Sequence, residues 1–102
     1  MSGNPLDKYR EFDPKLLDSW MNLQGFTFSE GVLSQKMKYL IAMAIDIELG
    51  SVEGATVLGQ RAIKFGALRE EVMETLRVAY SIGGNQAFFT AASVVQNLFP
   101  SK

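Results

Sequence analysis

Apolar residues recur at intervals of three and four along most of the chain, and nowhere in convincing alternation. That period marks helices with one buried face, so the reading is all-α, a compact bundle of about five helices. The first is "DPKLLDSWMNLQG", with Leu16, Leu17, Trp20 and Leu23 as its stripe. Asp13 is placed to cap it, Pro14 suits the first helical position, and Gly25 marks its stop. A loop, "FTFSEG", follows with two phenylalanines. The second helix runs from about Ser34 to Leu49, with Met37, Leu40, Ile41, Ala44 and Ile45 at helical spacing and Gly50 ending it. The third covers residues 51 to 66. The fourth, "LREEVMETLRVAYSI", places Glu70 and Glu71 in its first turn, where the helix dipole favours negative charge. Gly83-Gly84 break it, and Asn85 caps the fifth, "QAFFTAASVVQNLF".

No charged residue occurs from Val78 to Ser101. A membrane span needs ~20 mostly apolar residues. Here Gly83-Gly84-Asn85-Gln86 interrupts the run, and the remainder contains Thr90, Ser93, Gln96 and Asn97. No span is expected. Phe88, Ala91, Ala92 and Val95 face one way, while Phe89, Val94 and Leu98 spread onto other faces. A helix apolar around much of its girth is buried on several sides. One chain of this size has few ways to surround its last helix, so a second subunit is expected to cover part of it.

Composition narrows the chemistry. At 102 residues the simplest organisation is one domain, 1–102, large enough for a single core. A formal net charge of −1 argues against nucleic acid or an anionic membrane as partner. The chain has no cysteine, hence no disulfide, no thiolate nucleophile and no zinc–thiolate site. It has no histidine, which removes the usual general base and the commonest metal ligand. No metal and no cofactor are therefore expected, and acid–base work falls to Asp, Glu, Lys or Tyr. The opening stretch "MSGNPLDKYREFDP" lacks the apolar run of a signal peptide, and the expected location is cytoplasmic.

The third helix, "SVEGATVLGQRAIKFG", carries glycine at positions 54 and 59, each costing about 1 kcal/mol relative to alanine. Gly54, Ala55, Leu58, Gly59, Ala62 and Gly66 fall at spacings of three and four, giving a side of mostly small residues. Close approach of another helix accounts for Gly59 and Ala62. Gly54 stands one turn from the N-terminus, where free N–H groups also suit an anion or ligand.

With these features the chain resembles the carboxymuconolactone decarboxylase and alkyl hydroperoxidase D-like group. "FDPKLLDSWMNLQGFTFSEGVLSQKMKYLIAMAIDIELGS" looks like the family's lead-in of a short helix, a loop and an apolar helix. "RAIKFGALREEVMETLRVAYSIGG" follows its pattern of a helix-ending glycine, a paired-glutamate helix and a Gly-Gly break. The redox branch of that family begins the helix corresponding to 51–66 with Cys-x-x-Cys, then a histidine four residues on, with a glutamate on the preceding helix. Counted from Ala62 and Gly66, the resemblance puts the cysteine positions on Ser51 and Gly54 and the histidine position on Leu58. The glutamate position falls on Tyr39. All four are replaced. A serine hydroxyl without an activating base is a poor nucleophile, and a phenol with a pKa near ~10 is a poor base at neutral pH. Thiol-dependent peroxidase activity is not expected. The decarboxylase branch does without the cysteine pair but generally carries a histidine on this helix, which the chain lacks.

Asp46, Glu48, Glu53, Arg61 and Lys64 remain nearby. Asp46, within "AIDIEL", either continues an outer face with Gln35, Lys38 and Ala42 or is buried as an acid–base group. Glu53 reads as dipole compensation, Ser51 as an N-cap, and Arg61 and Lys64 as a solvated face. The phenylalanines at 26, 28, 88 and 89 read as core or interface. An aromatic-lined pocket near the second and third helices is what the resemblance implies, and the candidate pocket residues are Tyr39, Asp46, Ser51, Gly54 and Leu58. Three functions follow. The first is a homo-oligomer (family members are commonly trimers or hexamers) that has lost the redox centre and binds a small organic acid or serves a structural role. The second is a decarboxylase- or lactone-type enzyme using carboxylates or Tyr39. The third is an accessory subunit of a partner enzyme.

Overall fold

The computed structural model describes residues 4–101; the first three residues of the polar opening stretch, and Lys102, lie outside the described residues. Five helices follow in order: α1 (Leu6–Phe12), α2 (Pro14–Phe28), α3 (Gln35–Glu48), α4 (Val52–Lys64) and α5 (Arg69–Leu98). No strand occurs among the described residues.

The caps explain most of the boundaries. Asp13 accepts a hydrogen bond from the Leu16 N–H at 3.1 Å and Pro14 opens α2. Ser34 accepts from the Met37 N–H at 3.1 Å to start α3, and Ser51 accepts from the Gly54 N–H at 3.2 Å to start α4. Each side chain satisfies one of the donors that a helix start leaves free. Gly50, with φ +78°, turns the chain between α3 and α4, and the Ser51 N–H donates to the Asp46 carbonyl at 2.9 Å across that turn.

Two expectations are corrected. Gly25 does not stop its helix: α2 continues through Phe26 and Phe28, whose ring stacks on Tyr39 at 4.4 Å. One glycine costs about 1 kcal/mol in a helix, and a stacked aromatic pair is worth a comparable amount, so the last turn survives. The opening segment also forms a helix, α1, with Arg10 paired to Asp7 at 2.7 Å. The break expected between the fourth and fifth helices is present: α5 is two helical limbs that meet at a kink. Gly83 keeps helical geometry and Gly84 departs from it (φ 74°, ψ −153°), so the second limb starts after Gly84, at Asn85.

The core lies where α3, α4 and α5 meet. Met43 and Ile47 of α3, Ala55 and Ala62 of α4, and Val72, Ala87 and Val94 of α5 are wholly buried. A Cβ added to Gly59 would lie 2.7 Å from Leu98 Cδ1 and 3.1 Å from Met43 Sδ. The small side of α4 is thus a close crossing of α3 and α5. Lys36 of α3 pairs with Glu71 of α5 at 2.9 Å, and Glu71 also accepts the Leu68 N–H at 2.8 Å. The terminal limb of α5 turns Ala87, Ala91 and Val94 inward and leaves Phe88 and Phe89 exposed. No helix among the described residues is long and apolar enough to cross a membrane.

Candidate functional site

A cleft of about 590 Å³ opens where α2 leans over α3 and α4. Its size falls in the range of sites for small molecules. Trp20, Gln24 and Phe28 form the α2 wall; Ala42, Ile45 and Asp46 line it from α3; Gly54, Val57, Leu58 and Arg61 line it from α4. The placement follows from helical spacing. Trp20, Gln24 and Phe28 repeat every four residues, as do Ala42 and Asp46, and as do Gly54, Leu58 and, one turn later, Arg61.

The face that Asp46 shares with Gln35, Lys38 and Ala42 is partly covered, each of the four being intermediate between buried and exposed. Gln35 Nε2 donates to the Phe28 carbonyl at 3.0 Å, and Lys38 Nζ donates to the Thr27 and Ser29 carbonyls at 2.9 and 2.8 Å. These bonds satisfy carbonyls that the end of α2 leaves free and fasten it to α3. Further along the same face, Asp46 is half-buried at the cleft wall.

The Asp46 carboxylate meets the first turn of α4. A Cβ built on Gly54 would collide with Asp46 Oδ2 and lie 2.7 Å from Ser51 Oγ. The N-terminal end of α4, where Gly54 left room for an external anion, is occupied by this chain's own carboxylate. Arg61 is exposed at the cleft and has no carboxylate within salt-bridge reach among the described residues.

Tyr39 stands behind the cleft. Its ring is sandwiched between Phe28 at 4.4 Å and Phe65 at 5.6 Å, both nearly parallel to it. Phe28 therefore belongs both to the aromatic stack and to the cleft wall. Glu53 is exposed in the first turn of α4, and Glu48 turns away toward α5, where it packs on Gly83. One Glu48 oxygen, Oε2, is buried without a hydrogen-bond partner. No group of three or more acidic side chains is placed to hold a metal among the described residues.

The model of the carboxymuconolactone decarboxylase family matches residues 14–97, from the first residue of α2 almost to the end of α5. The chain belongs to the carboxymuconolactone decarboxylase family. It is similar to a carboxymuconolactone decarboxylase family protein from Legionella pneumophila, whose apo crystal structure matches with a TM-score of 0.86 at 31% identity, over 91% of this chain and 83% of that one. It is also 27% identical over 82 residues to an uncharacterized protein of Methanocaldococcus jannaschii, covering 80% of this chain and 77% of the other.

Within this carboxymuconolactone decarboxylase family member, the positions singled out by resemblance sit close together. Gly54 and Leu58 line the cleft, Ser51 caps α4 beside Gly54, and Tyr39 backs the α2 wall through Phe28. Sequence reasoning missed Trp20, Gln24 and Val57 as cleft residues; Arg61, read as part of a solvated face, is indeed exposed and stands at the cleft. The signal available for Trp20 was its four-residue spacing from Gln24 and Phe28, which becomes useful only once α2 is known to continue past Gly25.

Proposed function

We propose that this carboxymuconolactone decarboxylase family member binds a small organic acid in the α2–α3–α4 cleft, as a homo-oligomer without redox thiols. The observation that carries the reading is the Arg61 guanidinium, with no ion-pair partner among the described residues, at a cleft whose walls include Trp20, Phe28, Ile45, Val57 and Leu58. A guanidinium offers two parallel N–H donors to a carboxylate, and the aromatic and aliphatic walls suit an apolar body. Asp46, on the same wall, disfavours a second carboxylate and accepts a hydrogen bond from a hydroxyl group. The preferred ligand is thus a monocarboxylate with an apolar body.

Asp46 also supports a second reading, a decarboxylase- or lactone-type reaction with this carboxylate as the acid–base group, since it is half-buried and faces the space a substrate would fill. The test of binding uses Trp20, the single tryptophan of the chain, whose indole N–H resonance reports on the cleft directly. Titration with benzoate should shift that resonance with saturation. Absence of any shift at high benzoate contradicts the proposal.

A further inference from the structure

The folded chain carries more surface than its mass requires. Its accessible area is 7243 Å², about 1,500 Å² above the ~5,700 Å² that size scaling gives for a monomer of 11.3 kDa. Its radius of gyration, 14.9 Å, likewise exceeds the ~12.8 Å of a compact domain of this length. The excess has an origin. α1 buries no residue, and α2 buries only Leu17, which stands outside the core formed by α3, α4 and α5. The end of α2 near Phe28 is fastened by Lys38 and Gln35, while residues 14–23 are exposed apart from Leu17.

Two uncovered apolar features lie on this one chain. This exposed stretch of α2 carries Leu16, Trp20 and Leu23 at four- and three-residue spacing, between 46% and 56% exposed. The kink at Gly84 folds the two limbs of α5 into a groove of about 350 Å³ whose lining is mostly apolar, with Met73, Leu76, Tyr80, Phe88 and Ala92 alongside Arg77. Across the kink the Tyr80 and Phe88 rings touch at 5.1 Å, which holds the groove in shape. A ridge of helical spacing and a groove between helical limbs are complementary forms.

We infer that the Leu16–Trp20–Leu23 stripe of α2 docks into the α5 groove of a second copy of this chain. The amount of surplus surface fits that occupant. A standard interface takes about 800 Å² from each partner, and the surplus here is roughly twice that, enough for each copy to give one stripe and one groove. Permanent homomeric contacts are also the more apolar kind, as these two patches are. The inference deepens the assembly part of the proposal above and adds a consequence for its site. Trp20, Gln24 and Phe28 form one wall of the cleft, so a partner that clamps α2 also fixes that wall.

The test uses the full chain. Sedimentation and light scattering should give a mass of two or more chains, and Leu23→Glu and Ala92→Glu should each weaken association by roughly a hundredfold or more, with helical content retained. Neither residue lines the acid-binding cleft, so benzoate binding at Trp20 is scored separately and can fail without touching this result. Because the chain has no cysteine, Leu23→Cys and Ala92→Cys variants provide unique thiols. A short bis-maleimide should join a mixture of the two variants into a covalent pair and leave each variant alone largely unjoined. A monomeric wild type, an unchanged mass in both glutamate variants, or no cross-link in the mixture overturns the inference.

Discussion

The Asp46 carboxylate occupies the space into which a side chain at Gly54 would extend, so the two positions, eight residues apart, are sterically one site. Gly54→Ala gains about 1 kcal/mol of helix propensity but must push Asp46 into a poorer rotamer, which costs about 0.5–1.5 kcal/mol. The net change in stability should stay within about 1 kcal/mol. In an Asp46→Ala background the same substitution should be more favourable by roughly 1 kcal/mol, a coupling that a double-mutant cycle by chemical denaturation measures.

Glu71 gives the fold a defined acid sensitivity. The Leu68 N–H and then the Lys36 ammonium hold its carboxyl below the ordinary glutamate value, outweighing partial burial. A carboxyl whose folded value is depressed stabilises the fold above its unfolded value and loses that contribution as pH falls through the folded value. Glu71→Gln should therefore lower the melting temperature at neutral pH. The gap from wild type should narrow as pH drops below about 4.3, the ordinary glutamate value. Thermal melts of both proteins across that range check the sign.

Glycines at three positions should respond in different ways to alanine. Gly25 is exposed within α2 with nothing within 4 Å of a Cβ, so Gly25→Ala should stabilise by about 1 kcal/mol. Gly83→Ala brings a Cβ to 2.8 Å from Ala87 Cβ and onto the Glu48 carboxylate, and should cost about 1–3 kcal/mol. Gly84 combines φ 74° with ψ −153°, a region nearly confined to glycine, so Gly84→Ala should cost a further kind of strain, again about 1–3 kcal/mol. Denaturation midpoints of the three variants rank them.

These outcomes track what was legible before the fold was known. The starts of α2, α3 and α4 were readable because Asp13, Ser34 and Ser51 act on donors only three residues away. The stop at Gly25 was misread because the Phe28–Tyr39 stack that carries α2 onward joins residues on separate helices. Periodicity placed Gln35, Lys38, Ala42 and Asp46 on one face. It carried no information on what covers that face, and the answer, α2, comes from side chains reaching its last carbonyls. The family resemblance pointed to positions around the start of α4, whereas the Trp20 and Phe28 wall depends on how α2 leans across α3.

The missing sulfur has a direct readout. With no cysteine in the chain, turnover of an alkyl hydroperoxide in the presence of dithiothreitol should show no protein-dependent rate. Introducing thiols at Ser51 and Gly54 should not restore it by itself. Leu58 supplies no proton acceptor, and a side chain at 54 displaces Asp46. A stopped assay on wild type and on the Ser51→Cys/Gly54→Cys variant measures both.

The central claim is that the cleft under α2 holds a monocarboxylate through Arg61. The most direct measurement is a benzoate titration followed at the single Trp20 indole resonance, in wild type and in Arg61→Met, with the dicarboxylate adipate for comparison. The account predicts a saturable shift in wild type, weakening by roughly tenfold or more in Arg61→Met as a charge-assisted bidentate contact is lost, and weaker binding of adipate because Asp46 faces its second carboxylate. An unmoved resonance, or equal benzoate affinity with and without the arginine, would contradict it.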